Sequence, residues 1–166
     1  VYKRQSLYAM NINFFESVRN RMPHFFYDVD ALEYSSHNNS KLIKNLFVGG
    51  RYFVISPVSG SLVRIEDNTF KTVFSINFFQ YSKDYLDLFT EMHRVSSKFV
   101  MFSCATAGTR PASLNGYYKN LTESDFYNKL DLESMFDTYK FHIDYPSSTM
   151  YFWGVKRIAQ IGTDKV

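Results

Sequence analysis

FKTVFSINFFQYSKDYLDLFTEMHRVSSKFVMFSC, residues 70–104, decides the fold. Val73, Phe74 and Ile76 form one apolar run of strand-forming residues, and Phe99-Val100-Met101-Phe102 form a second. Between them Tyr85, Leu88, Phe89, Met92 and Val95 recur at spacings of three and four, which is one face of a helix. Lys83, Asp84, Asp87, Glu91 and Arg94 fill the other positions and leave that helix wet on its back. Ser82 is placed to cap its start. Strand, helix, strand with near-continuous apolar strands is a βαβ crossover, which makes the two strands parallel neighbours. In such sheets ligands bind at the carboxyl ends of the strands. Those ends are Asn77-Phe78-Phe79-Gln80 and Ser103-Cys104-Ala105-Thr106.

Outward from that unit, the chain of 166 residues is long enough to bury a substantial core as one domain. Hydrophobic residues at 45% and charged residues at 21% exclude a disordered chain. Aromatic residues reach 19%, with Phe 17 and Tyr 13, enough to fill a core and to line a pocket as well. A formal net charge of +3, with no basic cluster past the first four residues, gives no support for nucleic-acid binding. A single cysteine excludes an intrachain disulfide and fits a reducing compartment. No apolar run approaches the about 18 residues of a membrane span, and no charged-then-apolar signal segment opens the chain. The expectation is a cytoplasmic protein without a membrane partner. The opening VYKRQ joins no periodic pattern and resembles adaptor-derived sequence. The expected boundaries are therefore 1–9 outside the fold, a domain over 10–158, and a tail over 159–166.

In chain order, Ile12, Phe15, Val18 and Met22 mark an amphipathic helix over residues 11–21, stopped by Pro23. DVDALEY, residues 28–34, is a short strand. Leu42, Ile43, Leu46 and Phe47 give a second helix, which Gly49-Gly50 ends. RYFVIS, residues 51–56, is the second strand, and Leu62–Ile65 is a short strand or a connector. After Cys104 comes a long loop, ATAGTRPASLNG. Thr122 then caps a helix, with Asp125 as capping-box partner and a break near Asp131. Residues 139–145 and 149–157 flank Pro146-Ser147-Ser148 and read as an antiparallel hairpin. Alternating strands and helices closed by that hairpin make an α/β, doubly wound, mostly parallel sheet.

This order of pieces resembles the Rossmann-like, class I S-adenosylmethionine-dependent methyltransferases. EDNTFKTVFSINFFQY (66–81) looks like their acidic turn and fourth strand, and YLDLFTEMHRVSSKFVMFSC (85–104) like the helix and fifth strand that follow. GYYKNLTESDF (116–126) with YFWGVKR (151–157) resembles a bacterial subgroup found among sugar- and envelope-modifying genes. The resemblance covers roughly residues 12–158. It implies S-adenosylmethionine as cofactor and a small-molecule or glycan acceptor. It also implies a cofactor site drawn from Glu33, Tyr34, Ser35, Ser56, Asn77 and Phe78, and an acceptor site drawn from Gln80, Arg110, Tyr117 and Tyr118.

The family's first motif falls on Ala31-Leu32-Glu33-Tyr34-Ser35-Ser36, with the acid in place and serines where glycines let the backbone approach the cofactor. Ser56 stands where an acid would hold the ribose hydroxyls, and the short step from Ser56 to Glu66 implies a shortened or missing third strand. Val95-Ser96-Ser97-Lys98 replaces the lysine-proline-glycine-glycine turn.

Each of these residues also has a plainer reading. Glu33 either anchors the cofactor's amino group or is a solvated strand-end carboxylate. Asn77 and Gln80 hold cofactor or acceptor, or only close a strand end. Tyr117, Tyr118 and Lys119 wall an acceptor pocket, or bury their bodies and wet their tips. Arg110 clamps an anionic acceptor, or is solvated. Cys104 reads as a small core residue, and His93 as a helix-surface residue that could approach the cleft. His24, His37, His93 and His142 lack ligand spacing, so no metal is expected. No G-x-S-x-G or P-loop motif occurs. Three functions follow: a methyltransferase with no base identified, a methyltransferase-like domain that binds a ligand or protein partner without turnover, or an unrelated α/β binding module.

Overall fold

The computed structural model describes residues 7–35, 43–56, 64–106 and 116–158. Helix α1 runs Leu7–Arg21, four residues ahead of the periodicity's start, because nothing between Leu7 and Asn11 breaks a helix. Strands β1 (Ala31–Tyr34) and β2 (Tyr52–Ile55) follow, then β3 (Phe70–Ile76), helix α2 (Tyr85–Val95) and strand β4 (Ser96–Ala105). Two one-turn helices, α3 (Ser124–Tyr127) and α4 (Leu132–Met135), lead into the hairpin β5 (Phe136–Asp144) and β6 (Thr149–Lys156). The six strands form one sheet in the order β2-β1-β3-β4-β6-β5. Strands β1 to β4 pair in parallel, and β6 runs antiparallel to both β4 and β5. The expected mostly parallel doubly wound sheet with its hairpin is present. Residues 57–63, where the expected shortened or missing third strand would fall, lie outside the described residues. Arg64 to Glu66 carries no strand, and residues 62–63 of the expected short strand lie outside the described residues.

The sheet is covered on both faces. Val73, Val100, Phe102 and Phe152 meet Leu88, Phe89, Met92 and Val95 of α2. Phe74, Phe99, Met101 and Tyr151 meet Phe15 and Val18 of α1, together with Phe25, Phe26 and Ile43. All five apolar residues that the sequence placed on the inner face of α2 are buried. Of the twelve largest fully buried side chains, ten are phenylalanines, so the aromatic excess is chiefly core. The register Thr72↔Phe99, Val73↔Val100 and Phe74↔Met101 sets these rows side by side.

Two local expectations are corrected. Ser82 does not cap α2: its backbone N–H closes a turn onto Phe79 O at 3.1 Å, and Asp84 stands at the cap without a side-chain bond. A 3-10 turn over Phe79–Tyr81 comes first, which uses the chain that a cap at Ser82 would need. Asp125 reaches back to the Thr122 N–H at 2.8 Å as a capping box requires, but the Thr122 hydroxyl bonds Asp125 instead of the backbone. The expected break near Asp131 is real, with its carboxylate accepting from Ser134 N.

The amino-terminal edge of the sheet is tied down by two cations. Arg94 bonds Asp67, Glu91 and the Ile65 carbonyl, holding the segment that enters β3 against the end of α2. Lys156 Nζ donates to His93 O (2.8 Å), Ser96 O (2.9 Å) and Asn68 Oδ1 (2.7 Å), satisfying carbonyls that the end of α2 leaves unpaired. Replacing it, Lys156→Met, leaves those carbonyls without their cation. A loss of about 2 kcal/mol is expected, read as a lower urea midpoint with an unchanged slope.

Candidate functional site

Parallel strands end together, so the carboxyl ends of β1, β2, β3 and β4 form one edge. Tyr34 pairs with Ile55, and Ser35 and Ser56 are the next residues of the two strands. Ile76 pairs with Ser103, which brings Asn77 beside the end of β4. The Asn77 N–H donates to Ser103 O at 2.8 Å, and its φ of 53° turns the chain sharply out of β3, a conformation asparagine tolerates.

Glu33 is fully buried, which rules out the solvated strand-end reading. It pairs across the sheet with Val54 on β2 and Phe74 on β3. Its Oε1 accepts from Tyr52 Oη at 2.7 Å, while Oε2 is buried with no hydrogen-bond partner. Burial raises its ionisation to about 7, with the Tyr52 hydroxyl pulling the other way. Its neighbour Tyr34 points into the opposite core: the ring packs among the α2-side residues, its carbonyl accepts from Ser75 Oγ at 2.9 Å, and burial pushes the phenol up to about 12.

Ser35 is buried, and its N–H donates to Ile55 O at 3.0 Å, so this amide serves the sheet. Ser56 follows β2 directly and is half-buried. Phe78 packs in the core. Gln80 is buried as well, with Nε2 donating to Asn77 Oδ1 at 2.7 Å and Oε1 left without a partner. The Gln80 carbonyl accepts from Lys119 N at 2.9 Å, which lays the segment after the long loop over this turn. There Tyr118 is half-buried and meets Tyr81 edge-on, with its hydroxyl buried and unpartnered. Tyr117 is also half-buried, with Lys83 Nζ 5.8 Å over its ring. Asn77 and Gln80 are thus joined by a side-chain bond and Gln80 to the Tyr118-Lys119 segment by a backbone one, with Glu33 on β1, the strand next to β3. Arg110 lies outside the described residues.

The remaining candidates sit elsewhere. His93 is at the end of α2, bonded to Met135 O at 2.9 Å by the amino-terminal edge of the sheet, far from the strand ends. Cys104 is fully buried, and burial pushes its thiol well up, as befits a core residue. No metal-binding cluster occurs among the described residues. No described helix is long and apolar enough to cross a membrane. Tyr52 was not read from the sequence, because only the register of β2 against β1 places its hydroxyl on Glu33.

No family model and no curated protein sequence matches the chain. Solved structures do. Magnesium protoporphyrin IX methyltransferase (ChlM) from Synechocystis PCC 6803, with bound S-adenosylhomocysteine, matches with a TM-score of 0.60 at 7% identity, over 89% of this chain and 83% of that one. The CurJ carbon methyltransferase matches with a TM-score of 0.62 at 12% identity, over 93% of this chain and 56% of that one. Phosphoethanolamine N-methyltransferase 2 from Haemonchus contortus, in complex with phosphomonomethylethanolamine and S-adenosylhomocysteine, matches with a TM-score of 0.59 at 13% identity, over 88% and 53% of the two chains. The chain therefore has the Rossmann-like fold of class I S-adenosylmethionine-dependent methyltransferases.

Burying Glu33 has a stability consequence. Between about pH 4.5 and 7 the folded chain keeps a proton on this carboxyl that the unfolded chain releases, so stability falls as pH rises through that window. Glu33→Gln keeps the acceptor for Tyr52 and removes the charge. It is expected to be more stable than the parent by about 2–3 kcal/mol at pH 8 and nearly equal at pH 4, by urea unfolding at both values. An equal difference at the two pH values would contradict the buried-acid assignment.

Proposed function

We propose that this chain is an S-adenosylmethionine-dependent methyltransferase acting on a small-molecule acceptor. The observation that carries the reading is the fully buried Glu33 carboxyl at the end of β1, with Oε2 lacking any partner, in a sheet of the methyltransferase order. A buried carboxylate oxygen without a donor calls for a positive group, and S-adenosylmethionine carries an ammonium and a sulfonium. Glu33 therefore fits that cofactor. The bound cofactor supplies an electrophilic methyl on sulfur. The chain's task is to hold acceptor and methyl in line, and alignment alone can provide much of the rate. Among the described residues Gln80 Oε1 and Tyr118 Oη, like Glu33 Oε2, have unmet hydrogen-bonding capacity, and they support acceptor binding on the β3–β4 side. The resemblance of residues 116–126 and 151–157 to a subgroup found among sugar- and envelope-modifying genes makes a sugar hydroxyl the first acceptor to try.

A second reading, binding without turnover, is favoured by Ser56. Ser56 offers one hydroxyl where an acid would accept from both ribose hydroxyls. The first reading requires both cofactor binding and turnover; the second, in which the domain binds a ligand or protein partner, requires no turnover.

Titration calorimetry with S-adenosylmethionine tests the first reading, and saturable heat with a rise in melting temperature is expected. Absence of both at millimolar cofactor would remove the methyltransferase reading. The paired change Ser35→Gly with Ser56→Asp is expected to tighten binding by about tenfold, the worth of one or two hydrogen bonds to the ribose. Turnover is then read as S-adenosylhomocysteine formed from a panel of sugar and amine acceptors. Binding without product across the panel favours the second reading.

A further inference from the structure

Glu33 and Tyr52 form a pair that the proposed reaction does not by itself require. Glu33 is fully buried, its two oxygens are unlike, and the tyrosine that holds one of them comes from the neighbouring strand. Tyr52 is itself gripped, its ring 5.8 Å from Phe47 and 5.8 Å from Phe74, so its hydroxyl has little freedom to leave the carboxyl. The cross-strand neighbours of Glu33 are Val54 and Phe74, both apolar. Tyr34, next in sequence, turns its ring to the other face of the sheet. Among the described residues Tyr52 is the one titratable or charged group acting on Glu33. A lone buried carboxyl with a single neutral donor is poorly supported as an anion. It is well supported once a cation arrives at Oε2.

We infer that Glu33 captures a cationic ligand by giving up a proton, and that Tyr52 is the positioning residue that holds the resulting carboxylate with Oε2 turned to the ligand. The inference rests on the proposed cofactor. In the free protein the carboxyl keeps its O–H. On binding that bond breaks, the proton passes to solvent, and the electron pair stays on the carboxylate beside the ligand's positive charge. The Tyr52 hydroxyl remains a donor to Oε1 in both states and stabilises the charged one more. Binding is then linked to pH. Below the carboxyl's ionisation the ligand must displace a proton, and above it the site is already charged.

The test is calorimetric titration of S-adenosylmethionine into the full chain at pH 6, 7 and 8, in buffers of differing ionisation enthalpy. Glu33→Gln is titrated alongside to subtract any proton contributed by the ligand's own amino group. In the parent, affinity is expected to rise by about tenfold from pH 6 to pH 8, with about half a proton released per ligand at pH 7 once the Glu33→Gln baseline is subtracted. Glu33→Gln is expected to bind weakly, with only the pH dependence of the ligand's own amino group. Tyr52→Phe is expected to move the rise to higher pH and to recover most of the parent's affinity at pH 9, an outcome that a merely structural loss would not give. The carbon-13 signal of the Glu33 carboxyl in the ligand-free chain reads the same proton directly, with its midpoint shifted upward in Tyr52→Phe. Tight binding that is equal at pH 6 and 8, or a carboxyl already ionised at pH 5, would overturn the inference and leave the methyltransferase reading standing. No binding at any pH would overturn both.

Discussion

Burial of β3 and β4 on both faces is the constraint on which the rest of this domain depends. A parallel strand pair cannot leave one face wet, because the crossover helix that connects the strands already occupies one side. Helix α2 covers one face with Leu88, Phe89, Met92 and Val95, and α1 with the Phe25-Phe26 turn must cover the other. The hairpin extends the same two faces, with Phe152 on the α2 side and Tyr151 on the α1 side. Gly154 shows how tightly the hairpin closes: a Cβ there would stand 2.5 Å from the Phe136 ring.

That packing also makes the two edges of the parallel strands unlike. The amino-terminal edge is sealed by Lys156 and Arg94, which consume the carbonyls and carboxylates around the end of α2. At the carboxyl edge the chain leaves the sheet through polar turns, and it is there that Glu33 and Gln80 each carry a buried oxygen without a donor. Native interiors rarely tolerate such atoms, and among the described residues Arg19 Nε and Trp153 Nε1, away from this edge, share the condition. The sealed edge and the needy edge are opposite ends of the same four parallel strands.

Much of this was legible in the residues. The three-and-four spacing through Tyr85–Val95 named all five buried positions of α2, and the apolar runs on either side placed β3 and β4. The hairpin, the helix break at Asp131 and the left-handed Gly49-Gly50 were read from local chemistry, and all three are present, with φ of 75° and 70° at the glycines. The cap at Ser82 failed because a 3-10 turn intervened, which depends on how Phe79 packs against Phe102 and not on any cap signal. For the site, the sequence pointed to Glu33, Asn77 and Gln80 as strand-end residues but could not tell a solvated carboxylate from a buried one.

Periodicity and turn chemistry by themselves determined the doubly wound sheet, its crossover and the edge at which a ligand would bind, because those follow from which residues must leave water. The tertiary structure alone decided that Glu33 is buried, that Tyr52 reaches one of its oxygens, and that Tyr34 beside it faces the opposite core. Each of these is set by the register of β1 against β2, and a shift of one residue would exchange the two faces. Register is a property of strands in contact, and four-residue strands carry too short a pattern to announce it in advance.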